Sequence, residues 1–527
     1  VTTPGDHGAA PATSDPTALP AGELDVDVVV PTVGRPSLGV LLAALDRDPG
    51  PRPRSIVLVD DRGAAADVAE LLAAVPTGLR PLVRIAAGSG AGPASARNAG
   101  WRQGTAAWVA FLDDDVVPTR GWWSDLDADL AAAGPGVGGT QGRLVVPLPA
   151  DRRPTDWERN VAGLETARWA TADLAYRRPV LEQVDGFDER FPRAYREDAD
   201  LGLRVTSAGW RILDGRRTIH HPVRPAPWHV SVGKQAGNAD DALMRRLHGP
   251  HWRARAGAPR GTLRRHVATT AAAAVALAAA ATGRRRVAAF AAIGWAAATG
   301  DLARRRIAGG PNTPAEVSAM VATSVVLPVA ACWWRLRGEL AHLGTPPAEP
   351  VRALRAVLFD RDGTLVHDVP YNGDPERVVP VAGATEAVAR LRAAGVAVGL
   401  VTNQSGVARG LVDERSVDAV NGRVAELVGG FDSVRVCLHG PDDGCACRKP
   451  APGMVLDAAA ELGVPPDAVA VVGDIGADVD AAEAAGARGV LVPTPRTRPD
   501  EVARAAQTAP DVTAAVDLLL RTSRVPG

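Results

Sequence analysis

The stretch Ala356-Val357-Leu358-Phe359-Asp360-Arg361-Asp362-Gly363-Thr364 constrains this chain more than any other. An apolar run stops abruptly at two carboxylates one residue apart, and a Gly-Thr turn follows. Such a run reads as a strand buried on both faces of a parallel sheet. The carboxyl end of that strand is where an open α/β sheet builds its ligand site. Two carboxylates there suit phosphate-ester chemistry: one attacks phosphorus, and the other handles the leaving group's proton. Mg²⁺ would hold the nucleophile and the phosphate oxygens together and offset their repulsion. A strand running into an Asp-Gly turn gives the same local pattern, and the residues downstream decide between the two.

At 527 residues the chain is too long for one core, and three or four units are expected. Its 59 basic and 60 acidic residues leave a formal net charge of -1, which gives no electrostatic case for nucleic acid as a partner. Only 4 cysteines occur. Three of them fall between Cys437 and Cys447, a local cluster of the kind a metal site uses rather than a disulfide framework. Val1 to Gly22 is rich in Pro, Ala, Gly and Thr and has no apolar h-region, so residues 1–22 are expected to be a disordered tail without a secretory signal.

Residues 23–250 alternate between strand and helix patterns. Val26 to Thr32, Ser55 to Asp61, Leu82 to Ala86 and Ala107 to Leu112 read as strands, with helical spacing at Leu38 to Leu45, Val68 to Val75 and Pro93 to Gly104. Regular alternation predicts a parallel α/β sheet. Acids recur where the strands end, at Asp60-Asp61 and at Asp113-Asp114-Asp115. Oxygen ligands on a tight turn suit Mg²⁺ or Mn²⁺, and such an ion bridges a nucleotide diphosphate; an acidic loop with no ligand would look the same.

Several blocks then come in a fixed order: Val30-Pro31-Thr32, Val59-Asp60-Asp61, Ala96-Arg97-Asn98-Ala99-Gly100, Phe111-Leu112-Asp113-Asp114-Asp115, Leu174 to Arg178, Gly186-Phe187-Asp188-Glu189 and Glu197 to Leu201. In this order they resemble the family 2 glycosyltransferases, over most of Asp25 to Leu213. The resemblance implies a GT-A fold, a nucleotide-diphosphate sugar as donor, a glycan or other hydroxyl acceptor, and inversion at the anomeric centre. By position it places Thr32, Asp60, Asp61, Arg97 and Asp114 near the nucleotide sugar, and Asp113 and Asp115 on the metal and diphosphate. Asp198 falls where the general base would take the acceptor's proton; an acid at a helix N-terminus is the alternative. His220 and His221 lie where some relatives keep a metal-binding His, and Trp228-His229 near where an acceptor would bind. Asp173 stands where Asn is common, and Asp185 where a second Gly is common.

Residues 251–350 hold three apolar runs, Val267 to Thr282, Val287 to Ala298 and Val317 to Trp334, separated by arginine clusters. A spanning helix needs about 20 predominantly apolar residues, which the first and third approach and the second does not. Arginines flank every run, so no positive-inside asymmetry orients them. Helices lying on an anionic membrane surface, a two-helix hairpin, and an Ala-rich helical linker are all compatible with this pattern. Nucleotide sugars and Mg²⁺-dependent phosphatases imply a cytoplasmic location for both flanking regions, with the middle one against the cytoplasmic membrane.

Residues 351–527 resume the alternation. After Asp360 come strands at Val396 to Thr402, Val434 to Cys437, Ala468 to Gly473 and Val490 to Pro493. Asp-Arg-Asp-Gly-Thr, then Thr402-Asn403-Gln404-Ser405-Gly406, Arg448-Lys449-Pro450 and Asp474 together resemble the haloacid dehalogenase phosphatases, a Rossmann-like superfamily. The resemblance implies that Asp360 is the nucleophile and Asp362 the acid and base. Thr402 and Asn403 would bond the phosphoryl group, Lys449 would neutralise it, and Asp474 would complete Mg²⁺ binding with Asp360 and the Asp362 carbonyl. Asp478 would stand behind them. Cys437-Leu438-His439 and Cys445-Ala446-Cys447 form a Cys₃His set able to wrap a structural Zn²⁺, pinning the loop that presents Arg448 and Lys449.

This combination is similar to the subgroup of D-glycero-D-manno-heptose 1,7-bisphosphate 7-phosphatases and histidinol-phosphatases. It implies a sugar phosphate or histidinol phosphate as substrate; a zinc-stabilised docking module is the non-enzymatic alternative. The expected chain is therefore bifunctional: a GT-A transferase, an apolar helical segment, then a phosphatase.

Overall fold

Glu23–Thr32 forms β1, the strand on which the first sheet is laid, because Val26, Val28, Val29 and Val30 are all fully buried and demand cover on both faces. In the computed structural model, residues 22–63, 68–348, 353–523 and 525 are described. The expected tail over 1–22 falls almost wholly outside them. The chain divides into two compact units. One takes in the chain up to Arg178, Gly186–Leu203 and Arg211–Ala348; the other takes in Pro179–Asp185, Arg204–Trp210 and the chain beyond Ala348.

In the first unit, β1 is followed by β2 (Arg52–Asp60), β3 (Val83–Ala87), β4 (Trp108–Leu112), β5 (Val117–Pro118), β6 (Val137–Val145), β7 (Asp173–Arg177) and β8 (Arg211–His220). They form one sheet in the order β3-β2-β1-β4-β7-β6-β8-β5. β1 to β4 are mutually parallel. β7 then enters antiparallel between β4 and β6. The sheet is therefore mixed rather than parallel throughout. Helical spacing between strands reveals crossovers, but nothing in the five residues of β7 announces its direction. The helix Pro93–Trp101 lies close over β1 and β2 at Gly100, where a Cβ would come within 2.5 Å of Val29 and 2.8 Å of Val59.

The apolar middle of the sequence folds into three helices, Leu263–Ala281, Arg285–Ala308 and Pro314–Ala341, within this first unit. The second runs well past its apolar stretch. Arginine is a good helix former, and Asp301 pairs with both Arg304 and Arg305 one turn on. The third packs against the helix Gly237–His248, with Gly338 in contact with the Ala239 backbone. Among the described residues it is the one helix long and apolar enough to cross a membrane.

The second unit carries β9 (Ala356–Phe359), β10 (Ala397–Asn403), β11 (Ser433–Cys437), β12 (Val469–Gly473) and β13 (Arg488–Leu491), in the order β11-β10-β9-β12-β13. Every pairing is parallel. Val357 and Phe359 pack into the core on one face, and Ala356 and Leu358 into the core on the other, as the period of two requires. β9 is the central strand, so Asp360 leaves the sheet at its middle.

A buried network accounts for Asp173. Its carboxylate takes the Arg217 Nε at 2.7 Å and the Trp122 indole N–H at 2.8 Å, while Arg217 Nη1 reaches Asp129 at 2.9 Å. Arg217 and Asp173 are wholly buried. Replacing Arg217 by Met would strand two buried carboxylates, an expected loss of about 3–5 kcal/mol. All 12 tryptophans precede Arg335, so a downward shift of the urea midpoint followed by tryptophan fluorescence checks this.

Candidate functional sites

The first unit has a cleft of about 1460 Å³ at the carboxyl ends of β1 and β4. Thr32, Asp61, Arg97, Asp113, Asp114, Asp115, Asp198 and His221 all line it. Asp113, Asp115 and His221 bring their ligand atoms within 4.8 Å of one another. His221 Nε2 stands 3.6 Å from Asp115 Oδ1, and Arg224 Nε 2.9 Å from Oδ2. Burial first, and then the neighbouring Asp113, raises the Asp115 carboxyl above its usual range. Two carboxylates and an imidazole crowded at a strand end fit a divalent cation.

The other acids of this cleft have partners of their own. Asp114 is turned inward, taking the Thr32 hydroxyl at 2.7 Å and Arg35 Nη1 at 2.8 Å. It ties the loop after β1 to the acidic turn after β4. Asp61 accepts the backbone N–H groups of Gly90 and Gly92, which anchors the loop leading into the helix Pro93–Trp101. Asp60 is gripped by the Arg62 fork, whose hydrogen bonds hold its carboxyl below the usual range, and it does not line the cleft.

Arg97 is the counter-charge of the cleft floor. It is 2% exposed and lies between Asp113 at 2.7 Å and Glu197 at 3.0 Å. Glu197 and Asp198 open the helix Glu197–Ser207. Burial raises both carboxyls, Glu197 to about 8. Reasoning on the sequence passed over Glu197. The signal for it is the Glu-Asp pair at the helix start: both side chains line the cleft, and Glu197 also meets Arg97.

In the second unit, Asp360, Asp474 and Asp478 bring carboxylate oxygens within 4.8 Å of one another, all buried. The Lys449 ammonium stands among them, 2.5 Å from Asp360 Oδ1, 2.6 Å from Asp478 Oδ1 and 2.8 Å from the Val401 carbonyl. Burial pushes Asp360 up to about 8, with Lys449 pulling it down and Asp478 and Asp362 pushing it up. Asp474 rises to about 6, again mainly through burial. Buried hard-oxygen donors at this spacing fit Mg²⁺.

Asp478 enters the carboxylate cluster itself, whereas the sequence put it behind the others. Its helix, Gly476–Ala485, begins two residues after Asp474, so its first turn folds back over the strand end. Asp362 is outside that cluster. Its carboxylate is held by the Arg361 fork at 3.0 and 2.7 Å and by Gln404 Nε2 at 2.9 Å. Arg361 is buried and also reaches Asn421, a contact that no local pattern signals. Gly363, at φ +86°, makes the turn between the acids and the next residues, and a side chain there would strike the Asp474 carboxylate.

The remaining groups set the position of Lys449. Asn403 Nδ2 donates to the Lys449 carbonyl at 3.2 Å, and the Lys449 N–H donates to Asn403 Oδ1 at 3.1 Å. Thr402 accepts from Gln404. Arg448 Nη1 donates to the His439 carbonyl. Cys437, His439, Cys445 and Cys447 gather their ligand atoms within 4.8 Å. Cys437 Sγ lies 3.8 Å from Cys445 Sγ and 3.4 Å from Cys447 Sγ, and His439 Nδ1 3.3 Å from Cys447 Sγ. Thiolates on a tetrahedral zinc at ~2.3 Å stand ~3.8 Å apart, so this set fits Zn²⁺.

An acid cluster at the rim of a parallel sheet, with a buried lysine among the carboxylates, suits phosphate chemistry, and the cleft of the first unit suits a divalent cation with an anionic ligand. The model of glycosyl transferase family 2 matches residues 27–167, and the HAD-hydrolase-like model matches residues 446–518. The D-glycero-beta-D-manno-heptose-1,7-bisphosphate 7-phosphatase of Bordetella bronchiseptica is 40% identical over 146 residues, 27% of this chain and 82% of that protein. Among solved structures, the D,D-heptose 1,7-bisphosphate phosphatase of B. bronchiseptica with magnesium and phosphate is 35% identical, covering 32% of this chain and all of that one (TM-score 0.30). A mannosyltransferase from Pyrobaculum calidifontis with GDP-Man and Mn²⁺ is 20% identical, covering 60% of this chain and 88% of that one (TM-score 0.41). The chain belongs to the HAD-like hydrolase family through its C-terminal region, and ahead of that region it carries a glycosyl transferase family 2 domain. It is an enzyme.

The raised Glu197 carboxyl has a consequence for stability. Because its folded value exceeds the unfolded 4.5, the stability it contributes is fully present below that value and is lost as pH rises through about 8. Asp198 acts with the same sign. Glu197→Gln is expected to flatten the fall in the tryptophan-followed urea midpoint between about pH 5 and about pH 9.

Proposed function

We propose that the C-terminal region hydrolyses the 7-phosphate of D-glycero-D-manno-heptose 1,7-bisphosphate, and that the first unit transfers a sugar from a nucleotide diphosphate to a hydroxyl acceptor with inversion. The observation that carries the first half is Lys449 standing among Asp360, Asp474 and Asp478. The named activity of relatives whose length this chain largely covers supports the choice of substrate. Fusion to a glycosyltransferase domain favours the heptose phosphate over histidinol phosphate.

In this reading an Asp360 carboxylate oxygen attacks phosphorus, and the P–O bond to the sugar breaks. Asp362 gives its proton to the departing alkoxide. Asp362 then takes a proton from water as that water attacks phosphorus, and the acyl phosphate on Asp360 is cleaved to inorganic phosphate and a free carboxylate. Gln404 and Arg361 keep Asp362 aimed while it does so. Lys449, with Thr402 and Asn403 beside it, balances the charge on the transferring group. Asp360, Asp474, Asp478 and the Asp362 carbonyl would hold Mg²⁺, which supplies charge neutralisation between nucleophile and phosphate. The zinc set holds the loop carrying Arg448 against the substrate.

In the transferase cleft, Asp198 takes the acceptor proton, and Asp113, Asp115 and His221 would hold the divalent cation that neutralises the leaving diphosphate. Arg97 keeps Asp113 in place through its buried pair.

Asp362→Asn is expected to lower phosphate release by about 10²- to 10⁴-fold and leave sugar transfer intact, measured as released phosphate from heptose bisphosphate. Faster turnover of histidinol phosphate would exchange the substrate assignment, and no Mg²⁺-dependent release from any sugar phosphate would reduce the region to a docking module. Metal analysis of the full chain should find one zinc, lost in Cys447→Ser together with most of the phosphatase activity; zinc retained in that variant would contradict the Cys₃His assignment.

A further inference from the structure

The helix Pro314–Ala341 is apolar on its exposed face as well as its buried one. Val321, Val325, Val329, Trp333, Leu336 and Leu340 form one stripe at steps of three and four, and every one of them is exposed. That stripe runs about 28 Å along the helix. The opposite face packs inward through Ala319, Met320, Leu327 and Ala331, and on it the buried Thr323 and Ser324 receive the Arg306 guanidinium at 2.8 and 3.2 Å. A surface helix of a water-surrounded protein keeps its outer face polar. The two preceding helices continue the surface: Leu277 is 73% exposed, Phe290 77% and Ile293 66%. A groove of about 500 Å³ lies between the second and third helices, lined by Ala303, Ile307, Val321 and Val325. Patches of this extent mark an interaction surface.

The charge pattern selects the occupant. From Leu263 to Ala341 there are ten arginines against Asp301, Glu316 and Glu339. Those three acids are already engaged. Asp301 holds Arg304 and Arg305, Glu339 holds Arg335 and Arg246, and Glu316 accepts the Asp156 N–H. Among the described residues, Arg264, Arg265, Arg284, Arg285 and Arg286 make no ion pair. A second copy docking through this same surface would set arginine against arginine with no acid to meet it. Anionic lipid headgroups meet both demands at once, taking the arginines while the acyl region takes the apolar stripe.

We propose that the three helices rest on the surface of an anionic lipid bilayer, lying in the interface rather than crossing it. The third helix keeps its other face against the helix Gly237–His248, so lipid cannot surround it. The same helices also wall the transferase cleft through Leu263, Arg264, His266 and Arg335. Docking therefore sets the transferase at a membrane, where acceptors carried on lipid come within reach.

The full chain is tested against vesicles of phosphatidylcholine alone and of phosphatidylcholine mixed with phosphatidylglycerol, by flotation. Binding is expected to the mixed vesicles and to weaken as salt is raised. Replacing Arg284, Arg285 and Arg286 by Gln should lower the affinity roughly 100-fold, and Phe290→Asp with Ile293→Asp should abolish flotation. Phosphatase turnover and far-ultraviolet circular dichroism should stay unchanged in both variants, which separates lost docking from lost folding. Failure of the wild-type chain to float with either vesicle overturns the proposal. So does a self-associated chain in light scattering that becomes monomeric in Phe290→Asp with Ile293→Asp, because the surface would then belong to a second copy.

Discussion

Acids buried at the rim of a sheet repel one another and lose hydration, and each of the two units answers with a buried cation. Lys449 stands between Asp360 and Asp478; Arg97 stands between Asp113 and Glu197. Such a cation does two things. It offsets part of the cost of taking carboxylates out of water, and its own geometry fixes where those carboxylates lie. Lysine suits the compact phosphatase cluster because its ammonium is a point charge that can meet three oxygens at once. Arginine suits the cleft floor because its fork reaches two acids on different elements, one after β4 and one at a helix start.

The backbone supports these cations from behind. The reciprocal hydrogen bonds between the Asn403 side chain and the Lys449 backbone lock the end of β10 to the lysine loop. The Cys₃His set closes the same loop on its other side. Thr32 and Asp114 do the equivalent work in the first unit, joining the ends of β1 and β4. In both cases the acting groups are held by a surrounding shell of hydrogen bonds and ligands, which is how a site is kept within tenths of an ångström of its working geometry.

The helix Pro314–Ala341 obeys the same rule about buried charge. Arg306 is taken inward to Thr323, Ser324 and Asp156, while a second apolar stripe of the helix stays exposed. An exposed apolar stripe of this length makes sense only where the exterior is not water.

Much of this was legible along the chain. Each strand end that carries an acid was visible as an apolar run that stops, since a buried strand needs unbroken apolar residues and a site needs charge just beyond them. The Cys₃His set was equally plain, because its ligands lie within eleven consecutive residues. What no local pattern could reveal were the meetings of distant residues: Arg97 with Glu197, Arg361 with Asn421, Asp173 with Arg217, and the entry of Asp478 into the acid cluster. The antiparallel direction of β7 and the outward turn of the apolar stripe belong with these. Periodicity tells which residues share a face of one element. Which way that face points, and what charge waits across from it, is settled only when the elements pack.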